Sequence, residues 1–319
     1  MRHLISLKEQ SKEDLLTIID LAKKLKEKRA NGENVDVFHN KTEIMFFQKT
    51  STRTRLSFEA AMTELGGHAI YLDGRTSQMS IGAEFIDEIN AIMRYGQILM
   101  FRALKASDVI TAASLNRIPV IDACSEKYHP AQSLGDLLSM IEHSNGLENV
   151  KKITYLGIEN NISNSLQIAC TKLGIEMVIA APLVNQPSVD EELNEICKKS
   201  GLIKRTLDLE EALKNTDYVH TDSWVDMEFF RDGKVIPEFK EEYQKRIDTF
   251  LPYQVNAKMI DTYCPNAGIM HCMPCHIGYE ITRDAVDHKN SCIYDQAENR
   301  LHIQKAILVW LLEKESEYL

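Results

Sequence analysis

A junction between an apolar run and a helix-like segment near residue 50 has the residues most suited to chemistry. The segment Ser51-Thr52-Arg53-Thr54-Arg55 follows Ile44-Met45-Phe46-Phe47, which has the pattern of a buried strand. Helix N-termini expose unpaired N–H groups and carry partial positive charge, so hydroxyls and guanidiniums there predict a site for phosphate or another oxyanion. The spacing is not that of a Gly-rich Walker loop. An ordinary Ser/Thr N-cap beside solvated arginines is the alternative.

Polar residues follow other predicted strands as well. His129 precedes Pro130, and it is either a capping or core histidine or a donor to developing negative charge on a ligand. Asn160 and Asn161 follow Gly157, but the segment lacks the second and third glycines of a dinucleotide-binding motif. The two asparagines therefore predict a turn and a helix cap, with an amide contact to a ligand as the alternative.

The segment His271-Cys272-Met273-Pro274-Cys275-His276 contains both Cys-x-x-Cys and the Cys-x-x-Cys-His pattern of covalent haem attachment. Nothing else in the sequence indicates a haem pocket, and the four possible ligands are too crowded to bind one zinc ion easily. A redox pair is a further possibility. The remaining interpretation is a loop at a strand end that places one thiol and its backbone carbonyl in a binding crevice.

The elements that position these residues alternate between strands and helices along the 319 residues. This alternation predicts an α/β fold with two doubly wound parallel-sheet domains joined by interdomain helices. A turn-rich break at residues 144–149 marks the expected boundary, which gives domains 1–147 and 148–299. Ligands of open α/β sheets bind at the carboxyl ends of strands, so one crevice is expected to collect Arg53, Arg102, Asn161, Asp222 and Cys272.

Composition excludes several classes of function. The formal net charge of −10 argues against a nucleic-acid or anionic-membrane surface, since clustered Lys and Arg dominate such binding. No apolar run is long enough to span a bilayer, and the first residues lack the pattern of a secretory signal. Seven unevenly placed cysteines indicate reduced thiols, so we expect a cytoplasmic protein.

Four motifs taken together resemble those of the carbamoyltransferases, and most closely those of the ornithine carbamoyltransferases. Residues 51–55, with Phe58-Glu59 and Leu65-Gly66-Gly67, are similar to the family's carbamoyl-phosphate motif. The other three resemble its His-Pro-x-Gln, His-Cys-Leu-Pro and Glu-Asn-Arg motifs, and they are His129-Pro130-Ala131-Gln132, His271-Cys272-Met273-Pro274 and residues 295–300.

The resemblance implies that residues 1–147 bind carbamoyl phosphate, that residues 148–299 bind the amine, and that a C-terminal helix of about 300–319 packs back on the first domain. It implies a homotrimer with shared active sites, to which a neighbour contributes Gln78, and a reaction without metal or organic cofactor. The implied catalytic residues are Arg53, Arg102, His129, Cys272 and Arg300. Carbamoyl phosphate is expected to contact Ser51, Thr52, Arg53, Thr54, Gln78, Arg102, His129, Gln132, Cys272 and Arg300. The acceptor is expected to contact Asn161, Asp222, Asp226, Met227, Cys272 and Met273.

The expected acceptor is ornithine, which would give citrulline and phosphate. Ornithine enzymes carry Asp-x-x-x-Ser-Met-Gly, whereas this chain has Asp226 for Ser and Glu228 for Gly. Added carboxylates favour a cationic group over an α-carboxylate, unless Arg231 or Lys234 offsets them. A diamine such as putrescine or another amino acid is the alternative acceptor, and a catalytically silent binding paralogue is the alternative class. The segment 229–251 is either a helical insertion over the site or solvated surface.

Overall fold

Two compact units make up the chain in the computed structural model, which describes residues 1–225, 229–231 and 234–318. The first unit comprises Met1–Leu138, Asn164–Ala169 and Glu298–Leu319, and the second comprises Ser139–Ser163 and Cys170–Ala297. The boundaries between the units fall within three helices. The polypeptide therefore passes from one unit to the other through helical segments.

The first unit alternates helices with parallel strands. Its helices are α1 (Lys12–Ala30), α2 (Thr52–Glu64), α3 (Phe85–Ile92), α4 (Ala106–Ser114) and the start of α5 (Pro130–His143). Its strands are β1 (Thr42–Phe47), β2 (His68–Asp73), β3 (Ile98–Arg102) and β4 (Val120–Asp122). They form one parallel sheet in the order β2-β1-β3-β4.

Apolar burial on the central strands explains this sheet. Phe46 of β1 and Phe101 of β3 pack with ring centroids 4.9 Å apart, in an apolar cluster with residues of α3 and α4. Strands buried on both faces form continuous apolar runs, as in parallel sheets generally. After α2 the chain turns at Gly66, whose φ of +82° favours glycine and where a Cβ would lie 1.9 Å from Asp36 Oδ1.

The second unit repeats the alternation. Its strands are β5 (Lys152–Leu156), β6 (Glu176–Ala180), β7 (Ile203–Arg205), β8 (Tyr218–Thr221), β9 (Phe230–Arg231), β10 (Lys234–Val235) and β11 (Gly268–His271). Its helices are α6 (Asn161–Leu173), α7 (Glu191–Ser200), α8 (Leu209–Leu213), α9 (Lys240–Phe250), α10 (Ala257–Tyr263), α11 (Arg283–Val286) and the start of α12 (Ile293–Leu311). Five strands form a parallel sheet in the order β11-β8-β5-β6-β7, and β9 and β10 form an antiparallel pair.

Two parallel sheets linked by helices confirm the predicted fold class. The final helix was expected over about residues 300–319, but α12 begins at Ile293 and ends at Leu311. Gln296 in the first turns of α12 has a structural role. Its N–H donates to Cys292 O at 2.8 Å, and its side-chain Oε1 accepts the His271 N–H at 2.9 Å. A polar first turn thus conceals the start of a buried helix.

The segment 229–251 packs an aromatic cluster in its described parts. Phe250 is fully buried and stacks on Trp224 with centroids 5.6 Å apart, and Phe229 stacks on Phe239 at 4.7 Å. The described parts of this segment therefore make apolar contacts of their own, and they include helix α9. Within the described parts of the chain, every helix is too short or too polar to cross a membrane. All seven cysteines lie in those parts and carry thiols outside any disulfide.

Candidate active site

Thr54 lies at the centre of a cationic cluster in the first unit. Ser51 caps α2, and its Oγ accepts the Thr54 N–H at 3.3 Å, which holds Thr54 in the first helical turn. Thr54 Oγ1 in turn accepts hydrogen bonds from Arg102 Nη1 at 3.2 Å and from Arg300 Nη2 at 3.0 Å. Arg102 ends β3 and Arg300 lies on α12. Two guanidiniums from separate elements are thus fixed at a helix N-terminus, an arrangement suited to a phosphate group.

His129 is a neutral side chain beside these charges. It immediately precedes α5, is only 4% exposed, and its backbone N–H donates to Ser165 Oγ at 2.8 Å. Its ring Nδ1 is buried and has no hydrogen-bond partner in the described parts of the chain. Burial, followed by the charges of Arg300 and Arg102, holds the pKa of His129 well below its usual value. The imidazole can therefore donate one N–H to a ligand without adding positive charge.

Gln132 lies one turn into α5 and is 1% exposed. Its Nε2 donates to Asp136 Oδ1 at 2.7 Å, which fixes the orientation of the amide. No described residue donates to its Oε1. The amide therefore presents an oxygen that can accept a hydrogen bond from an NH₂ group of a ligand.

The other residues predicted for the anion site differ in environment. Arg53 is half-buried in the first turn of α2, and its charge also lowers the pKa of His129. Thr52 and Gln78 are exposed, and Gln78 begins a short 3₁₀ helix at Gln78–Ile81. Arg55 is directed elsewhere, because its Nε donates to Glu59 at 2.9 Å and its guanidinium lies 3.9 Å from the centroid of the Tyr71 ring. Only one of the two arginines in the motif accompanies the cluster.

Asp222 is the centre of a polar network at the carboxyl ends of strands in the second unit. Its Oδ1 accepts from Ser223 N at 2.8 Å and from Cys272 Sγ at 2.9 Å, and its Oδ2 accepts from Asn160 Nδ2 at 2.8 Å. Asn160 also caps α6, which confirms the cap predicted there, and Asn161 is the half-buried first residue of the helix. The network brings together three of the strand ends predicted to carry the acceptor site.

The loop after β11 is held by a buried histidine. His271 Nδ1 accepts the Met273 N–H at 2.7 Å, so Nε2 carries the proton and donates to Glu280 Oε1 at 3.0 Å. The Gln296 side chain accepts the His271 N–H. Met273, with φ of +60°, is half-buried against the apolar core of the unit. His271 therefore orients the loop that carries Cys272.

Three possible metal-ligand atoms, on Asp222, His271 and Cys272, lie within 4.8 Å of one another. Hydrogen bonds already occupy them, since the Cys272 thiol donates to Asp222 and both ring nitrogens of His271 bond within the protein. The three groups therefore form a hydrogen-bonded network in which the Cys272 thiol donates to the Asp222 carboxylate. Two predicted acceptor residues, Asp226 and Met227, lie outside the described residues.

Sequence reasoning missed residues that support the site. Lys49 adds a positive charge that lowers the pKa of His129, and its position in the strand-to-helix junction was the available signal. Glu280 accepts from His271, and from the His276 N–H at 2.6 Å, yet nothing in its sequence context indicated a buried carboxylate. Gln296 lies within the motif at residues 295–300, and its role as a buried acceptor could be recognised only from the fold.

Comparisons with known proteins match both halves of the chain. Residues 2–142 match the family model described as aspartate/ornithine carbamoyltransferase, carbamoyl-P binding domain, and residues 149–311 match the Asp/Orn binding domain of the same family. An ornithine carbamoyltransferase of Archaeoglobus fulgidus is 38% identical over 319 residues, covering 99% of each chain. An anabolic ornithine carbamoyltransferase of Pyrococcus furiosus is 36% identical over 316 residues, covering 98% of this chain and 96% of its own.

Solved structures of ornithine carbamoyltransferases are also similar to this chain over nearly its full length. The ornithine carbamoyltransferase from Pyrococcus furiosus superposes with a TM-score of 0.87 at 36% identity, covering 97% of this chain and 96% of that one. The anabolic ornithine carbamoyltransferase from Campylobacter jejuni superposes with a TM-score of 0.86 at 34% identity, covering 98% and 100%.

Proposed function

The chain belongs to the aspartate/ornithine carbamoyltransferase family, and we propose that it transfers the carbamoyl group of carbamoyl phosphate to the side-chain amine of ornithine. The products are citrulline and phosphate. The observation that carries this proposal is the convergence of Arg102 and Arg300 on Thr54 beside the neutral, buried His129. Relatives over the full length of the chain are named ornithine carbamoyltransferases, which supports ornithine as the acceptor.

The proposed reaction is a direct displacement. The uncharged δ-amine of ornithine attacks the carbamoyl carbon and forms a C–N bond, while the C–O bond to phosphate breaks. The amine proton leaves with the departing phosphate. Because no covalent intermediate is needed, the protein acts by holding both reactants in line and by stabilising developing charge.

Carbamoyl phosphate is proposed to bind in domain 1–147 with the C-terminal helix. Its phosphate is bound by Arg53, Arg102 and Arg300, together with hydroxyls at the start of α2, namely Ser51, Thr52 and Thr54. His129 donates to the carbamoyl oxygen, and preorganised donors stabilise an oxyanion with little reorganisation. Gln132 Oε1, which no described residue occupies, accepts from the carbamoyl NH₂.

The acceptor is proposed to bind in domain 148–299. The Asp222 carboxylate attracts an ammonium group of ornithine, while Asn161 and the loop of Cys272 and Met273 contact the rest of it. Asp226 and Met227 complete the predicted set. The thiol of Cys272 already lies against Asp222, which fixes both groups relative to each other.

An acceptor panel tests this proposal. Purified protein is incubated with carbamoyl phosphate and ornithine, putrescine, lysine or aspartate, and the carbamoylated products are identified by mass spectrometry. We expect citrulline with ornithine and slower or no turnover with the others. Turnover of putrescine without turnover of ornithine would contradict the assignment. Arg53→Gln should abolish most activity, whereas its matched control Arg55→Gln should retain it, because Arg55 is held by Glu59 and Tyr71.

We further propose a homotrimer in the cytoplasm, in which Gln78 of a neighbour completes each site. The exposure of Gln78 and the seven thiols are consistent with this proposal. Light scattering should give three times the chain mass of 36.4 kDa. Mixing two inactive variants, Gln78→Ala and Arg53→Gln, should restore part of the activity after subunit exchange, since hybrid trimers then contain intact sites. Active monomers would contradict the proposal.

A further inference from the structure

A cavity in the second unit lies outside the proposed acceptor site. Its volume is about 220 Å³, and its walls are Trp224, Val225, Phe230, Tyr243, His276, Tyr279 and Glu280. At roughly 30 Å³ per water molecule, it has room for about seven waters or one small organic molecule. Of the acceptor residues proposed above that the structure describes, none lines it. Five of its seven lining residues carry rings, and one carries a carboxylate.

The carboxylate of Glu280 is 1% exposed and ionised. Burial raises its pKa, but hydrogen bonds from His271 and His276 outweigh burial and lower it to about 2. All of its contacts go to one oxygen, because Oε1 accepts from His271 Nε2 and His276 N and lies 3.4 Å from His276 Nδ1. Oε2 has no partner in the parts of the chain that the structure describes. Glu280 lines the cavity, so a group bound there can make a hydrogen bond or ion pair with Oε2.

The aromatic side chains that line the cavity contact one another mostly edge to face. Phe230 and Tyr243 are perpendicular, at 89° and a centroid distance of 6.0 Å, and Tyr243 meets Tyr279 at 6.3 Å. Phe230 also stacks on the His276 ring at 6.5 Å. Burial raises the pKa of Tyr243 to about 12, so its ring stays uncharged. Faces of neutral aromatic rings are negative and attract cations.

We infer that this cavity binds a small organic cation, an ammonium or methylated ammonium group, with Glu280 Oε2 as counter-ion and Phe230, Tyr243 and Tyr279 as walls. An anion is repelled by the ionised carboxylate. A metal ion needs several oxygen, nitrogen or sulfur ligands, and most of these walls are carbon rings. An uncharged molecule of the same shape fills the volume but offers Oε2 no ionic partner.

This site has a consequence for the acceptor loops. Trp224 follows Asp222 by two residues, and His276 follows Cys272 by four. An occupant that packs against both walls therefore constrains the two segments that carry acceptor-binding residues. Occupancy is expected to change the affinity for the acceptor, and by linkage the acceptor changes the affinity for the cation by the same factor.

Choline tests the inference directly, and 3,3-dimethylbutan-1-ol is its uncharged carbon isostere. Titration calorimetry of the full chain with each compound measures binding without any catalysis, so failure here is distinct from failure of the proposed function. We expect choline to bind at least tenfold more tightly than the alcohol, and tetramethylammonium to compete with it. Equal affinities for the two compounds, or no binding of choline at millimolar concentration, would overturn the inference.

Two cavity variants and one control complete the test. Glu280→Gln keeps an oxygen for His271 and removes the charge, and it should weaken choline binding about tenfold. Phe230→Leu removes one ring and should weaken choline binding about fivefold. This variant provides the test if Glu280→Gln does not fold. The control Phe239→Leu changes a ring that stacks on Phe229 outside the cavity, so it should bind choline as the parent does. Choline affinity unchanged in folded Phe230→Leu would contradict the proposed walls.

Discussion

Replacement of Thr54 by valine tests the cationic cluster most sharply. Valine keeps the β-branched shape of threonine and removes Oγ1, which accepts from Arg102 at 3.2 Å and from Arg300 at 3.0 Å. A hydrogen bond that involves a charged group contributes about 1.5–3 kcal/mol. Arg300 is 4% exposed and finds little water in exchange, so its bond accounts for most of the expected loss. The expected loss is therefore close to that of one bond.

In the variant, carbamoyl phosphate must order guanidiniums that Thr54 holds in place in the parent. An ordering cost of up to about 1.5–3 kcal/mol corresponds to a decrease of up to roughly tenfold to 150-fold in kcat/KM for carbamoyl phosphate. Steady-state kinetics at saturating ornithine measures it, and circular dichroism verifies that the variant is folded. The matched control Thr54→Ser retains the hydroxyl and should stay within about threefold of the parent. A folded Thr54→Val with kcat/KM within about threefold of the parent, or a Thr54→Ser as impaired as Thr54→Val, would refute the reasoning.

Further predictions concern buried ionisable groups and the acceptor. Burial raises the pKa of Glu43 well above its usual value, and both carboxylate oxygens lack partners in the described residues. The folded state thus keeps a proton that the unfolded chain releases, so the free energy of unfolding should fall, relative to Glu43→Met, as the pH rises above the ordinary Glu pKa of about 4.3. Parallel pH profiles of the two proteins in denaturant titrations would disprove this. Because the pKa of His129 is lowered, its ionisation should produce no decrease of kcat/KM near pH 6.5, and His129→Asn should lower kcat about 100-fold. A decrease of kcat/KM near pH 6.5 that is present in the parent and absent from His129→Asn would contradict this. Asp222→Asn should raise KM for ornithine about tenfold and leave KM for carbamoyl phosphate nearly unchanged. The reverse pattern would contradict the proposal that Asp222 binds ornithine.

The fold follows from sequence where burial alone decides the structure. The apolar runs at Ile44–Phe47 and Ile98–Phe101 predict strands, and they form the buried centre of β1 and β3. Turn residues behave as expected too, since Asn160 caps α6. The predicted start of α12 was wrong because a polar residue such as Gln296 is typical of a surface. In the fold, Gln296 is buried and accepts a hydrogen bond from His271. That role depends on a partner 25 residues away.

In the candidate site too, features set by local sequence are predictable and features set by tertiary contacts are not. Ser51 and Thr54 are local to one junction, so their role at the start of α2 is readable from spacing. The distinction between Arg53 and Arg55 is not, because it depends on Tyr71 in the next strand, over which the Arg55 guanidinium lies. Glu280 was also beyond sequence reasoning, since its burial depends on His271 and His276 around it. Local chemistry is predictable from motifs, whereas partners that meet only in the folded chain are not.

Transfer of the carbamoyl group to ornithine can be followed directly with an isotope label. Carbamoyl phosphate labelled with ¹³C at the carbonyl carbon, incubated with the purified protein and ornithine, is followed by ¹³C and ³¹P NMR. We predict that the label moves to the ureido carbon of citrulline while one phosphate is released for each label transferred, and that Arg53→Gln loses this transfer. Label that appears only in breakdown products of carbamoyl phosphate, or on putrescine and not on ornithine in a mixture of both, would contradict the account.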